Sequence, residues 1–269
     1  ISTLNQPAQK MRVTVLTDNH AGSHTMAEHG LSYLIEHDGK RILFDTGQSD
    51  LFLRNAERMN TVIEKTDLIV LSHGHFDHGN GLSFLDGHEL LCHPGCFVKR
   101  YRRKDNQSIG LQNTREELSA RFRLITSHDP CKIAENIYFL GGIPRASGFE
   151  SQSTTFILKD GSPDYVMDDS AVAFILPQGL FVVTGCGHSG IVNTLEHAKK
   201  VCGSEVIYGV MGGFHLKEQD TQLRETISYL KDNRVRHIMP SHCTGLPALS
   251  SFYENFRMPQ VSTGDIFIL

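Results

Sequence analysis

Residues 69–81, IVLSHGHFDHGNG, restrict what this chain can fold into more than any other segment. An aliphatic run stops abruptly at Ser72. His73, His75, Asp77 and His78 follow within six positions, interleaved with Gly74, Gly79 and Gly81. On an extended backbone two histidines spaced by two start on the same side. Asp77 and His78 must then turn back toward the same point, which the glycines permit. Imidazole nitrogen and carboxylate oxygen together suit zinc, iron or manganese. Burying such a cluster is costly unless its charges and lone pairs are satisfied, and a cation satisfies them. The plain alternative is a surface loop rich in histidine.

The same pattern, an apolar strand ending in a small residue and then a histidine, occurs twice more. LFVVTGCGHSG places His188 just past Thr184, and RHIMPSHCTG places His242 just past another expected strand. In α/β proteins the mouths of adjacent strands converge on one crevice. Three histidine-bearing strand ends therefore predict one site, despite sequence separations of over a hundred residues.

Strands are expected at 11–17, 31–37, 41–45, 67–72, 89–93, 121–125, 137–140, 155–158, 171–176, 180–184, 205–211, 237–240 and 265–268. Helical spacing is clearest at 49–58, 190–201, 218–233 and 246–256, with the Asn193-Thr194 region and Asp220 in early turns. The first half is rich in strands and the second alternates strands with helices. No Pro-, Gly- or Ser-rich linker divides them. The prediction is one α/β domain with two sheets over 1–269, carrying a less regular, substrate-facing insertion at about 94–150. That insertion includes KRYRRK at 99–104, either a solvated helix face or a cationic rim for phosphate or carboxylate.

A formal charge of −4 over 269 residues and a pI near 6.4 give no reason to expect nucleic acid or a membrane as partner. A small-molecule substrate is the expected partner, with oligomeric state left open. Six cysteines are too few for a disulfide scaffold at this length and read as reduced thiols. Cys92 and Cys96 flank His93 without a second pair, so they read as packing residues. The chain begins with Ile1 rather than Met, so an upstream part is read as removed. A cytoplasmic location is expected, with periplasmic or secreted as the alternatives. The G-x-x-x-x-G-K phosphate loop is absent, which disfavours nucleotide hydrolysis by that route.

The H-x-H-x-D-H run after a strand, preceded by ILFDTG at 42–47, resembles the metallo-β-lactamase superfamily over nearly the whole chain. HGLS at 29–32, TGCGHSGIVN at 184–193, GGFHL at 212–216 and HCTG at 242–245 are similar to one branch of it. Members of that branch are metal-dependent hydrolases, some linked to synthesis of a dihydropterin–ribofuranosylaminobenzene phosphate. The resemblance implies a four-layer αββα sandwich with a two-metal site at one edge. It implies two divalent cations, zinc foremost, with iron or manganese as alternatives. His73, His75 and His188 would share one, and Asp77, His78 and His242 the other. Asp45 would hydrogen-bond a ligand and fix its orientation.

One departure bears on this assignment. Residues 141–150, GGIPRASGFE, lack the histidine many members carry there, and the position of a bridging aspartate reads Cys186. His188 is inferred to substitute for the missing histidine, and Cys186 is a further candidate ligand. Asp168 and Asp169 are alternative carboxylates with a structural role as the simpler reading. Asp77 would also orient an attacking water, and His215 would donate a proton to a leaving group or bind phosphate. Asn19, His29, Arg145 and Glu150 are candidate substrate-facing residues. Cys243 reads as structural, because its neighbour His242 is better used on metal. The implied function is hydrolysis of a small phosphorylated metabolite. The alternatives are a dihydropterin-phosphate-type synthase using the same cations, and a non-catalytic metal-containing sensor. Hydrolysis of a β-lactam ring is not expected.

Overall fold

The computed structural model describes residues 10–269, so the first nine residues of the expected unit lie outside it. The strands are β1 (Arg12–Thr17), β2 (Ser32–His37), β3 (Lys40–Phe44), β4 (Leu68–Val70), β5 (Glu89–Cys92), β6 (Arg100–Arg102), β7 (Arg123–Thr126) and β8 (Cys131–Ala134). They continue as β9 (Ile137–Phe139), β10 (Phe156–Leu158), β11 (Ala171–Leu176), β12 (Gly179–Thr184), β13 (Ile207–Gly213), β14 (His237–Ser241) and β15 (Ile266–Ile268). The helices are α1 (Leu51–Arg58), α2 (Phe76–Gly79), α3 (Arg115–Arg121), α4 (Ile191–Cys202), α5 (Thr221–Asp232) and α6 (Leu246–Phe256).

One sheet runs β15-β1-β2-β3-β4-β5-β7, a second runs β14-β13-β12-β11-β9-β8, and β10 pairs with β6 alone. Within the first sheet β3, β4, β5 and β7 are parallel, and within the second β12, β13 and β14 are parallel. Strands covered on both faces read as near-continuous apolar runs, which is why their positions are visible in the sequence. Along β11, Val172, Phe174 and Leu176 enter the core between the sheets, while Ala171 and Ala173 face the helices. Along β2, Tyr33 and Ile35 point into that central core and Leu34 points away from it. Fully burying one such large side chain contributes about 1.5–3 kcal/mol.

The outer face of the second sheet packs on α4, α5 and α6 through Leu195, Leu223, Leu230 and Phe252. The outer face of the first packs on α1 and α3 through Phe52, Ala56 and Leu118. The layers are therefore helix, sheet, sheet, helix. Helix α5 starts where Asp220 accepts from the Leu223 N–H at 2.9 Å, an N-cap in the early-turn region expected for it.

The segment 94–150 differs from the expected insertion. It supplies β7 to the first sheet and β8 and β9 to the second. It also holds α3, opened by a capping box between Thr114 and Glu117. The KRYRRK run is not a helix face. Its Arg100–Arg102 part forms β6, and Arg100 is buried against Asp164 and Asp168. Among the described residues no helix is long and apolar enough to cross a membrane.

Candidate metal centre

The loop after β4 is fixed by carboxylates that reach it from elsewhere in the chain. Asp45, directly after β3, accepts from the Ser72 N–H and hydroxyl, each at 2.7 Å. Its Oδ2 also accepts from His78 Nδ1 at 2.7 Å. The ring of His78 is thereby turned so that Nε2 faces inward, 3.1 Å from Cys186 Sγ and 3.0 Å from His242 Nε2. Asp168 Oδ2 accepts from the Gly74 N–H at 2.7 Å and holds the backbone between His73 and His75. Gly74 has no room for a side chain, since a Cβ would lie 1.9 Å from the Cys96 carbonyl oxygen.

His73, His75 and His188 converge. Ring centroids lie 4.6 Å apart for His73 and His75, 4.9 Å for His73 and His188, and 5.0 Å for His75 and His188. One nitrogen of each falls within 4.8 Å of the other two. Burial pushes the pKa values of His73 and His188 far down and takes that of His75 to about 3. The three rings are therefore neutral, the state in which imidazole offers a lone pair. Nε2 of His75 and of His188 is buried without a hydrogen-bond partner. An orphaned buried polar atom costs about 1–3 kcal/mol, and a cation between these rings relieves it. The donors present thus fit a metal ion.

The second group lies alongside. Asp77 Oδ2 is 3.2 Å from His242 Nε2, 3.0 Å from His29 Nε2 and 3.7 Å from His78 Nε2. Asn19 Oδ1 accepts from His242 Nδ1 at 2.7 Å, which turns Nε2 of His242 toward Asp77 and His78. Burial works against the charge on His78, but Asp77 and Asp45 outweigh it and raise the pKa to about 9. Burial likewise opposes charge on Asp77, yet His78, His242 and His29 hold its carboxyl well below the usual range. Burial takes His242 down to about 4 and pushes the Cys186 thiol far up. The backbone at this rim is strained. Asp45, His215 and His242 have φ of 58°, 49° and 53°, in the left-handed region that non-glycine residues avoid.

The groups open into a cleft of about 570 Å³. His29, Asp77, His188 and His215 line it together with Arg102, Lys104 and Lys217, and Phe156 covers His75 and His188. A smaller cleft of about 200 Å³ adjoins it and shares Phe156, His188, His215 and Lys217. Two side chains of the KRYRRK run, Arg102 and Lys104, therefore border the cleft, Arg102 paired with Asp105.

Each site residue named from sequence can now be placed. His73, His75, Asp77, His78, His188, His242 and Cys186 come together, and Asp45 orients His78. The His215 ring lies tilted against His188, centroids 4.3 Å apart, and borders the cleft, and His29 reaches Asp77 from its exposed side. Asn19 is exposed and bonds the rings of His242 and His29, which keeps it at the edge of the site. Two other substrate-facing candidates are held away from the cleft. Arg145 donates to the carbonyls of Tyr165, Val166 and His188 and to the Ser151 hydroxyl, which ties down a loop. Glu150 is wholly buried and accepts from the Val192 and Asn193 N–H groups at the start of α4. Asp168 accepts from the Gly74 N–H and from Arg100, and Asp169 Oδ2 from the Ser189 N–H. Cys92 and Cys96 pack in the outer core of the first sheet. Sequence reasoning missed Lys217, Phe156 and Ser72, none of which carries a spacing signal.

Known proteins resemble this chain in family and in fold. The model of a family described as the metallo-beta-lactamase superfamily matches residues 26–89. Uncharacterized protein MJ0448 of Methanocaldococcus jannaschii is 39% identical over 247 residues, covering 88% of this chain and 92% of that protein. The 7,8-dihydropterin-6-methyl-4-(beta-D-ribofuranosyl)-aminobenzene-5'-phosphate synthase of the same organism is 32% identical over 272 residues, covering 92% of each. Among solved structures, Tm1679, a metal-dependent hydrolase of the beta-lactamase superfamily, superposes with a TM-score of 0.86 at 27% identity. That alignment covers 96% of this chain and 99% of that one. A diphosphatase of the PhnP family shares the fold, with a TM-score of 0.55 at 14% identity over 97% of this chain and 98% of that one. The chain belongs to the metallo-β-lactamase superfamily.

Proposed function

We propose that this chain is a metal-dependent hydrolase of a small phosphorylated metabolite. The observation that carries the reading is the neutral trio His73, His75 and His188, with two orphaned buried nitrogens, opening beside Asp77 into a cationic cleft. One divalent cation would be held by His73, His75 and His188, and a second by Asp77, His78, His242 and Cys186. Such cations supply Lewis acidity and a lowered pKa for water at neutral pH.

The chain's own residues do the rest. Arg102, Lys104 and Lys217 attract and orient an anionic group at the cleft mouth. Phe156 walls off the rings of His75 and His188 and limits bulk water. Asp77, with His29 on its Oδ2, offers a carboxylate that accepts a hydrogen bond from the attacking group and aligns it. His215 borders the cleft beside His188 and would donate from its imidazole to a leaving oxygen. A second reading is favoured by the 32% identity to the synthase over nearly the whole chain. In that case a second substrate replaces water as acceptor, and the same residues bind and orient.

The test is elemental analysis beside a phosphoester panel, run with and without a dihydropterin co-substrate. Metal content and turnover are expected to fall together in His73→Ala and His188→Ala and to persist in the exposed His128→Ala. Lys217→Ala should raise KM for phosphorylated substrates more than it lowers kcat. Full metal content in His188→Ala refutes the ligand assignment. Turnover that needs the co-substrate selects the synthase.

A further inference from the structure

Cys186 follows β12 and Cys243 follows β14, and only β13 lies between these strands in the sheet. Both thiols are buried, and one ligand atom each from Cys186, His242 and Cys243 lies within 4.8 Å of the others. Cys243 Sγ donates to the Cys186 carbonyl at 3.5 Å, while Cys186 Sγ stands 3.1 Å from His78 Nε2. The close approach is built into β13. A Cβ on Gly213 would lie 2.6 Å from Cys243 Sγ and 2.3 Å from the Gly185 carbonyl oxygen. A Cβ on Gly212, at φ +128°, would lie 1.9 Å from the Thr184 carbonyl oxygen. Glycine at both positions lets the two strand ends bring their sulfurs to one point. Lys217 donates to the Cys243 carbonyl and adds positive charge on that side.

We propose that Cys186 and Cys243 together ligate the cation position shared with His242, making it a thiolate-rich site that favours zinc or ferrous iron over manganese or magnesium. This rests on the reading that the histidine cluster holds metal. It assigns a role to Cys243 that its place beside His242 does not suggest in the sequence. It also accounts for the missing bridging aspartate, because the second thiolate supplies the negative charge that carboxylate would bring. Each thiol loses its proton to solvent as the metal binds, so loading releases protons.

The test uses the full chain, kept reduced and loaded with cobalt(II), with cobalt counted in every sample. A thiolate-to-cobalt charge-transfer band is expected in the near ultraviolet. It should halve in Cys243→Ser and in Cys186→Ser, vanish in the double variant and stay unchanged in Cys202→Ala. A band unaffected by Cys243→Ser overturns the proposal. Where a variant fails to fold, X-ray absorption at the zinc edge of the wild-type protein decides. Sulfur at about 2.3 Å in the amount of two thiolates per zinc pair supports it, and one thiolate or none overturns it. Wild-type protein that takes up no metal would overturn the metal reading as well. Metal bound through nitrogen and oxygen alone would overturn only the thiolate pair.

Discussion

Replacing Asp168 by alanine should destabilise the protein far more than a surface substitution and should loosen the site without touching a candidate ligand. Arg100 is 2% exposed, and Asp168 takes two of its N–H groups, at 2.7 and 3.1 Å. Asp164 stands 2.9 Å from Arg100 Nε but off the hydrogen-bonding direction, so it keeps a charge contact without replacing the two hydrogen bonds. Breaking a buried pair by removing one partner costs about 3–5 kcal/mol, because a charge is left uncompensated. The Gly74 N–H loses its acceptor at the same time, worth about 1–3 kcal/mol if it finds no water. Retained contact with Asp164 offsets part of this, so a loss of about 4 kcal/mol is expected. At about 2–4 °C per kcal/mol for a chain of this size, the melting temperature should fall by about 10 °C. The assay is urea and thermal unfolding followed by circular dichroism, in chelator, so that metal occupancy does not enter. Glu89→Ala, which removes an exposed partner of Arg123, is the control and should change little. A loss below about 1 kcal/mol in Asp168→Ala, the level of an exposed pair, would show that the network does not hold the loop.

Two further outcomes follow from the same geometry. Asp45→Ala frees the His78 ring and orphans the Ser72 N–H, so zinc affinity by calorimetric titration should drop about 10–100-fold. Unchanged affinity would remove Asp45 as the residue that orients His78. Gly185→Ala places a Cβ 2.0 Å from Ser72 Oγ and 2.9 Å from Asp45 Oδ2, so it should lose about 1–3 kcal/mol in urea unfolding. Gly148→Ala, with open space around it, should stay within about 0.5 kcal/mol, and equal effects for the two would discredit the packing argument.

The readable parts of the sequence share one cause. Strands such as β11 and β12 are apolar on both faces, and the H-x-H-x-D-H run packs its ligands into six consecutive positions, although its glycines are required by distant neighbours, Gly74 by Cys96 and Gly81 by Thr46. What stayed hidden depends on partners distant in sequence. Arg100 looks like one more surface cation until Asp168, 68 residues on, is seen to bury it. β6 forms because β10 pairs with it, and neither its polarity nor its length marks a strand. Glu150 resembles a ligand-facing carboxylate because nothing in its neighbourhood shows that α4 starts against it. The capping box of α3, Thr114 to Glu117, is by contrast a local signal that the sequence carries on its own. Lys217 and Cys243 meet the cleft only because β13 and β14 are neighbours.

The left-handed backbone at Asp45, His215 and His242 has an evolutionary corollary. A residue held there costs the folded state about 1–3 kcal/mol that glycine would largely recover. A lineage released from chemical duty would gain robustness by drifting to glycine at these three corners. A descendant that keeps acidic and imidazole groups there is therefore still under selection for what they do, which gives a simple filter for telling working copies from retired ones.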